Sequence, residues 1–262
     1  MKRKAILIEA SDVIGLNNLP GARVDVNNWK SFLKSDLGGA WDDAEIVSLN
    51  KPQSAVLDKA LTVEPDCYTF VAYSGHGSDG SVVLNEAWIN TGYSTTKLKP
   101  KSNKGTLIID SCRGVSEAKR YSFTKTAFAN ESAHAVALNA SMGRSVVFAS
   151  AHELDERLIL NRAGYVIRPR QIWEESIKRS LAGIVEMLAC SKGQAAEEDP
   201  AAGGYYTSLL MQSADLWQVG ASSGSIHTTK EAHDFAAYRL PPAQQKPEYN
   251  PSWLAFAFAV KK

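Results

Sequence analysis

The sequence predicts an α/β fold built on a mainly parallel β-sheet, because short apolar runs alternate with amphipathic segments along the chain. Two of the apolar runs end in polar, glycine-containing turns: "FVAYSGHGSDG" at 70–80 and "TLIIDSCRG" at 106–114. The first turn presents His76 and the second presents Cys112. Since parallel sheets carry their chemistry at the carboxyl ends of the strands, we expect both side chains at one edge of the sheet.

The first half of the chain contains the clearest alternation of strands and helices. Apolar residues recur at spacings of three and four before a glycine pair in "RVDVNNWKSFLKSDLGG", which predicts a helix. The other predicted elements are strands at 4–10, 44–49, 67–74 and 104–110, a helix at 54–63, and a small hairpin at 81–90 with "NE" near its turn.

The second half is less regular. A polar segment at 115–144 predicts a loop with at most a helical turn, and "RSVVFASA" at 144–151 predicts a strand. The remaining predictions are one helix over 172–188, a flexible segment at 192–204, a helix at 205–217 and a final strand at 252–260. With no internal repeat and no boundary signal, a single domain over 1–262 is expected.

Composition restricts the classes of partner. The 262 residues are 44% hydrophobic, enough for a substantial core, and 29 basic against 28 acidic residues give a formal charge of +1. This balance provides no electrostatic basis for binding nucleic acid or an anionic membrane. Three widely spaced cysteines indicate neither a disulfide framework nor a zinc site. Without a signal-peptide or membrane-span pattern, we expect a cytoplasmic protein in a reducing compartment, with no metal and no cofactor.

Cys112 and His76 have the residue types of a nucleophile and its proton-transfer partner. Adjacent strands lie about 4.8 Å apart, so the two strand ends can approach closely, and a nearby imidazolium or backbone dipole is expected to lower the thiol pKa. Gly75, Gly77 and Gly114 allow close approach of a substrate, and the backbone N–H groups of Gly77 and Cys112 are candidate oxyanion donors. The alternatives are a buried, inert thiol and an ordinary turn histidine.

The other cysteines and histidines are interpreted as structural. Cys67 opens a predicted strand and Cys190 ends the helix predicted over 172–188, so both favour packing roles. The remaining histidines lie in polar or loop contexts and are given no function; they are His134, His152, His227 and His233.

The two motifs together resemble the caspase and metacaspase group of cysteine peptidases (clan CD, family C14). "YSGHG" follows one apolar strand and "IIDSCRG" follows another, with "DSC" as in metacaspases and 36 positions from His76 to Cys112. The caspase signature places its histidine about 50 residues upstream of the cysteine. Further similar segments are "LPGARVDVNNWKSFL", "FASAHELDE", "GGYYTSLL" and "QQKPEYNPSWLAFAF".

The resemblance implies a caspase-like three-layer sandwich with an approximately six-stranded, mainly parallel sheet and helices on both faces. It also implies that Cys112 and His76 form a catalytic dyad that cleaves peptide bonds through a thioester. Asp25 is retained from the metacaspase pattern, whereas Val24 and Ala22 depart from it. Since no prodomain precedes the first strand, we expect a minimal, bacterial-type member.

By the same resemblance, Asp25, Ser74 and Asp110 line the pocket for the residue before the scissile bond. Two carboxylates favour a basic side chain, so cleavage after Arg or Lys is expected. The alternatives are a strand-end capping role for Asp110 and an exposed carboxylate in the first turn of a helix for Asp25. Arg113, which caspases also carry after the cysteine, argues for the opposite preference.

The basic residues after Cys112 suggest self-processing, because family members are often cut in this loop. The candidates are Lys119, Arg120 and Lys125; the alternative is a solvated loop. The family also implies a protein substrate such as a pore-forming effector, an activating sensor protein, and a setting in regulated cell death or defence. Two other functions remain open: a catalytically silent binding module, and a different Cys–His acyl transferase or amidase, for which a third orienting residue is missing from the sequence pattern.

Overall fold

The computed structural model describes residues 1–13, 16–85, 92–114 and 168–262. Its central sheet has, in spatial order, β2 (Ile46–Asn50), β1 (Arg3–Ala10), β3 (Tyr68–Gly75), β7 (Lys104–Asp110), β8 (Gly183–Leu188) and β12 (Glu248–Asn250). All neighbouring strands are parallel except β12, which runs antiparallel to β8. The predicted six-stranded, mainly parallel sheet is therefore confirmed.

Helices and short strands surround this sheet. The helices of the described residues are α1 (Pro20–Lys34), α2 (Ser54–Leu61), α3 (Thr95–Leu98), α4 (Pro169–Arg179), α5 (Tyr205–Gly220) and α6 (Thr229–Arg239), with a 3₁₀ turn at Asp43–Glu45. The remaining strands are β4 (Gly77–Ser78), β5 (Ser81–Val82), β6 (Tyr93–Ser94), β9 (Glu198–Asp199), β10 (Gly203–Gly204), β11 (Ile226–Thr228) and β13 (Ala257–Val260).

Each face of the sheet is covered by helices. On one face, alternate residues of the central strands, such as Ile8 and Val71, share a core with Leu57 of α2. On the other face Trp29 of α1 packs 5.2 Å from Phe70 of β3, measured between ring centroids. There Trp173 of α4 likewise lies 4.9 Å from Tyr68. The three-layer sandwich is thus confirmed, with both faces of β3 buried.

The prediction of one helix over 172–188 is wrong in its second half. Helix α4 ends at Arg179, Ser180 adopts an extended conformation, and β8 begins at Gly183 with φ of +147°. In β8, Val185 and Met187 are fully buried. The prediction failed because the apolar residues of this segment fit both helical spacing and strand alternation. Cys190 consequently follows a strand rather than ending a helix.

The carboxyl-terminal region contains elements that the sequence did not suggest. Helix α6 begins with a capping box in which Thr228 and Glu231 exchange side chain to backbone hydrogen bonds. The final strand predicted over 252–260 is confirmed only for Ala257–Val260, which is β13, and this strand pairs with β11 outside the central sheet. The polar or loop contexts predicted for His227 and His233 are wrong, because both side chains are buried, on β11 and α6.

Several predictions concern residues that lie outside the ranges that the structure describes. The loop at 115–144, the strand at 144–151, His134 and His152 all lie there. The structure describes the hairpin predicted over 81–90 only in part, because residues 86–91 lie outside the described ranges. In the described part, β5 pairs with both β4 and β6 in a three-stranded sheet. Within the described ranges, no helix is long and apolar enough to cross a membrane.

Gly183 provides a test of the turn between α4 and β8. A Cβ at this position would lie 2.7 Å from Leu254 Cδ2, and the φ of +147° disfavours any L side chain. Gly183→Ala should therefore lower the free energy of unfolding by about 1–3 kcal/mol in urea denaturation.

The matched control is Gly220→Ala at the exposed end of α5, where a Cβ would contact nothing within 4 Å. This substitution should leave stability unchanged or raise it slightly, because alanine favours helix over glycine. Equal effects of the two substitutions would contradict the proposed strain at Gly183.

Candidate active site

The register between β3 and β7 places His76 and Cys112 at equivalent positions. Ser74 of β3 is paired with Asp110 of β7, and each candidate residue follows two positions later. The loops also touch directly: a Cβ built on Gly77 would lie 2.9 Å from Ser111 Cβ and 3.1 Å from the carbonyl oxygen of Cys112. Only a residue without a side chain fits at Gly77, so the two strand ends are held in close contact.

The turn that carries His76 is held in place by close packing at Gly75 and by hydrogen bonds from Tyr73 and Val83. Gly75 has φ of +152°, and a Cβ there would lie 2.7 Å from the carbonyl oxygen of Ala10. The buried hydroxyl of Tyr73 lies 2.6 Å from the carbonyl oxygens of both His76 and Val83. The backbone N–H of Val83 donates to the same His76 oxygen at 2.8 Å. The histidine backbone therefore sits in a rigid turn.

The imidazole of His76 is oriented by a backbone carbonyl. Its Nε2 lies 2.6 Å from the carbonyl oxygen of Asn17, in the segment before α1. Because a carbonyl only accepts hydrogen bonds, Nε2 must carry the proton in this contact, and in a neutral ring Nδ1 is then the basic nitrogen. The sequence did not reveal this third group, because a main-chain oxygen leaves no mark in the residue type.

The thiol of Cys112 is partly buried, and its Sγ lies 3.8 Å from the carbonyl oxygen of Ala196. Burial raises the thiol pKa, and the carboxylates of Glu197 and Asp110 raise it further. The expectation of a lowered pKa is therefore wrong for this arrangement. Burial thus favours the protonated form of the resting thiol.

Asp25 and Asp110 form a buried pair of carboxylates. Asp25, only 1% exposed, accepts hydrogen bonds from Ser74 Oγ at 2.6 Å and from the backbone N–H of Gly204 at 2.8 Å. Asp110 accepts from the backbone N–H and the hydroxyl of Thr207, at 3.1 and 2.8 Å. The alternative of an exposed Asp25 is thus wrong, while Asp110 does cap a helix, the first turn of α5.

The two carboxyl groups meet beneath a glycine pair. A Cβ on Gly204 would lie 2.8 Å from Asp110 Cγ and 3.0 Å from Asp25 Oδ2. Burial, followed by the charge of Asp110, raises the pKa of Asp25 well above its usual value, and burial raises the pKa of Asp110 to about 6. In the described ranges, neither carboxylate forms an ion pair with a lysine or arginine. The burial of the pair thus favours the protonated, neutral forms of both groups.

Arg113 is engaged away from these carboxylates. Its guanidinium donates to Glu248 Oε2 at 2.5 Å and to the carbonyl oxygen of Cys190 at 3.2 Å through Nη1, and to Asp79 Oδ1 at 3.3 Å through Nη2. Both carboxylate partners already balance its charge. Arg113 is thus engaged by two carboxylates of the protein and is not free to bind an acidic substrate residue in this arrangement.

The remaining cysteines lie in packed surroundings. Cys190 Sγ donates to the carbonyl oxygen of Ser111 at 3.3 Å, and burial raises its pKa to about 12. Cys67 is buried at the start of β3, and burial raises its pKa also. The candidate processing residues Lys119, Arg120 and Lys125 lie outside the described residues. Within the described ranges, no group of three or more His, Cys, Asp and Glu side chains could hold a metal ion.

Comparisons with known proteins agree with this architecture. The caspase domain family, peptidase family C14, matches residues 2–255. Among solved structures, caspase-1 from Spodoptera frugiperda is similar with a TM-score of 0.55 and 14% identity, covering 100% of this chain and 92% of the other. The protein GSU0716 from Geobacter sulfurreducens is similar with a TM-score of 0.56 and 14% identity, over 100% of both chains. No curated protein matches.

The structural likenesses, at 14% identity, concern the fold alone. The family match, in contrast, extends over nearly every residue, including both strand ends with His76 and Cys112. This chain belongs to the caspase domain family of cysteine peptidases.

Proposed function

We propose that this protein is a cysteine endopeptidase whose domain spans residues 1–262 and whose nucleophile is Cys112, with His76 as the proton-transfer partner. The main support is the register of β3 and β7, which puts the two residues at equivalent strand ends, together with the close contact of Gly77 with Ser111. The Asn17 carbonyl adds the orienting group for His76. A third orienting group, missing from the sequence pattern, had counted against a different Cys–His acyl transferase or amidase, so this contact alone does not separate that function from a peptidase.

The geometry supports a specific order of proton transfers. His76 Nδ1 accepts the thiol proton as Sγ attacks the peptide carbonyl carbon, because the raised pKa of Cys112 disfavours a preformed thiolate. The backbone N–H groups of Gly77 and Cys112 stabilise the resulting oxyanion. The imidazolium then protonates the leaving amine, which leaves a thioester on Sγ. Water hydrolyses the thioester with His76 as base.

The specificity that we propose is cleavage after Arg or Lys. A guanidinium or ammonium entering between Asp25 and Asp110 would favour their ionised forms and offset the burial that now raises their pKa values. Ser74 supports one of the two carboxylates. Gly203 and Gly204 cover both carboxylates, since a Cβ on Gly203 would overlap Asp25 Oδ1 and one on Gly204 would lie 2.8 Å from Asp110 Cγ. A long basic side chain would therefore reach the pair only if this glycine segment shifts.

The wider role that we propose is a cytoplasmic protease of a regulated cell-death or defence system. Its substrate would be a protein such as a pore-forming effector, and a sensor protein would activate it. Lys119, Arg120 and Lys125 would be sites of self-processing after basic residues. Mass spectrometry of wild type and the Cys112→Ala protein distinguishes self-processing from a solvated loop, since only the former gives Cys112-dependent cuts.

A second candidate, a catalytically silent binding module of the same fold, is favoured by one observation. The partly buried Cys112 thiol has a raised pKa and contacts the carbonyl oxygen of Ala196. This arrangement disfavours a thiolate in the resting protein. Turnover measurements separate the two functions.

The first prediction concerns the dyad. With fluorogenic peptides ending in Arg, Lys, Asp or Leu, with and without calcium, Cys112→Ala and His76→Ala should each lower kcat/KM by at least about 1,000-fold, since each removes a participant in bond breaking. Thermal unfolding should remain cooperative. Cys67→Ala, a buried cysteine distant from the strand ends, should keep activity within a few fold. Undiminished cleavage by either dyad variant would refute the assignment.

The second prediction concerns the carboxylate pair. Asp110→Asn should reduce kcat/KM for an Arg peptide by about 100-fold, because a charged hydrogen-bonding partner is lost from a buried site. In wild type, KM for this peptide should rise as the pH falls below about 6, where Asp110 becomes protonated. A KM for the Arg peptide that stays constant between pH 5 and 8 would contradict the pocket.

The third prediction concerns the resting thiol. Since burial raises the pKa of Cys112, its alkylation by iodoacetamide should keep accelerating above pH 9 rather than level off near neutrality. Glu197→Gln should shift that curve to lower pH by removing a repelling charge. Mass spectrometry of the labelled peptide gives the rate, and a plateau below pH 8 would show that a preformed ion pair exists instead.

A further inference from the structure

The pair of charges formed by Arg113 and Asp79 joins the two loops of the candidate active site. Arg113 immediately follows Cys112, and Asp79 lies three residues after His76. Nη2 of Arg113 lies 3.3 Å from Oδ1 of Asp79. We propose that this ion pair is a positioning element that holds the His76 turn against the Cys112 loop. The proposal rests on the proposed function, since it concerns the geometry of the same dyad.

Arg113 is the fixed end of this connection. Its backbone N–H donates to the carbonyl oxygen of Gln194 at 2.9 Å, and its own carbonyl oxygen accepts from the N–H of Gly193 at 2.9 Å. Its guanidinium is also bound by Glu248 of β12 and by the carbonyl oxygen of Cys190. The segment that follows β8 and the edge strand β12 thus both hold Arg113 in place.

Asp79 is the less restrained residue of the ion pair, with a side chain 39% exposed against 19% for Arg113. It lies at the tip of a small hairpin in which β4 pairs with β5, and Gly80 beside it has φ of +76°. His76 stands at the base of this hairpin, where its carbonyl oxygen accepts from Val83. Gly77 touches Ser111 at the base, and Asp79 reaches Arg113 at the tip. The two contacts together restrain the hairpin in both position and tilt.

Asp79 has a second cationic partner, which supplies the control. Lys192 Nζ lies 2.7 Å from Asp79 Oδ2, and its side chain is 77% exposed. Hydrogen bonding and charge from Lys192, followed by Arg113, lower the pKa of Asp79, so its carboxylate is ionised at neutral pH. Lys192 lies on the segment whose Gly193 and Gln194 bind the backbone of Arg113, and not on the Cys112 loop itself. Loss of the Lys192 side chain therefore removes one cationic partner of Asp79 and leaves the ion pair between Asp79 and Arg113 in place.

The pair should influence geometry more than stability. Ion pairs with a partly exposed carboxylate contribute little to folding, so variants should remain folded. A displacement of about 1 Å between reacting groups, in contrast, can cost about 100-fold in rate. The expected signature is therefore a reduced kcat with an almost unchanged KM and melting temperature.

The experiment compares Asp79→Ala, Arg113→Gln, their double variant and Lys192→Ala with an Arg peptide. We expect Asp79→Ala and Arg113→Gln each to lower kcat by about 10-fold with KM changed less than about twofold, and the double variant to be no worse than the poorer single variant. Asp79→Glu should restore much of the rate, and Lys192→Ala should stay within about twofold of wild type. Additive losses, an effect on KM alone, or an equal loss in Lys192→Ala would overturn the proposal.

A second readout separates failure of this proposal from failure of the proposed function. The rate of Cys112 alkylation by iodoacetamide at pH 8 requires no turnover. It depends on His76 because the imidazole takes up the thiol proton as the carbon–sulfur bond forms. His76→Ala should slow this reaction several-fold, and Asp79→Ala should reproduce most of that loss, whereas Lys192→Ala should not. If no peptide is cleaved but this pattern holds, the positioning role stands and the peptidase proposal fails. An alkylation rate in Asp79→Ala equal to that of wild type overturns the positioning role, whatever the turnover.

Discussion

The parallel pairing of β3 with β7 is the constraint on which the candidate site depends. Every residue of β3 from Tyr68 to Ser74 has a partner on β7, so a slip of one position would move His76 away from Cys112 and turn both strands to the wrong faces. Both strands are buried on each face, which makes such a slip costly. The core thus sets the alignment of two side chains that lie beyond it.

Helices and strands whose apolar residues follow one clear spacing were predictable from the sequence. Those whose apolar residues fit more than one spacing, or that have few apolar residues, were not. Helix α1 and strands β1, β3 and β7 have unambiguous apolar patterns, and all were predicted. Strand β8 was not, because the pattern around Val185 continues the spacing of α4 and the interruption at Gly183 depends on contact with Leu254. Helix α6 was missed because its buried face is narrow and includes His233.

The same distinction applies to the site. His76 and Cys112 were identifiable because each follows a buried strand within a glycine-rich turn, so local sequence carries the signal. The Asn17 carbonyl, the contact of Gly204 with two carboxylates, and the partners of Arg113 join segments that are distant along the chain. The raised pKa of Cys112 likewise arises from burial and from Glu197, which no local pattern encodes. Such contacts become visible only in three dimensions.

The buried carboxylates have a consequence for the thermodynamics of ligand capture. At a pH near 6 Asp110 holds a proton for part of the time, and burial together with Asp110 also favours the protonated form of Asp25. A cationic ligand that stabilises the ionised forms must therefore displace protons into the solvent. The heat of association measured in calorimetry would then vary with the ionisation enthalpy of the buffer, and the slope would count the protons released.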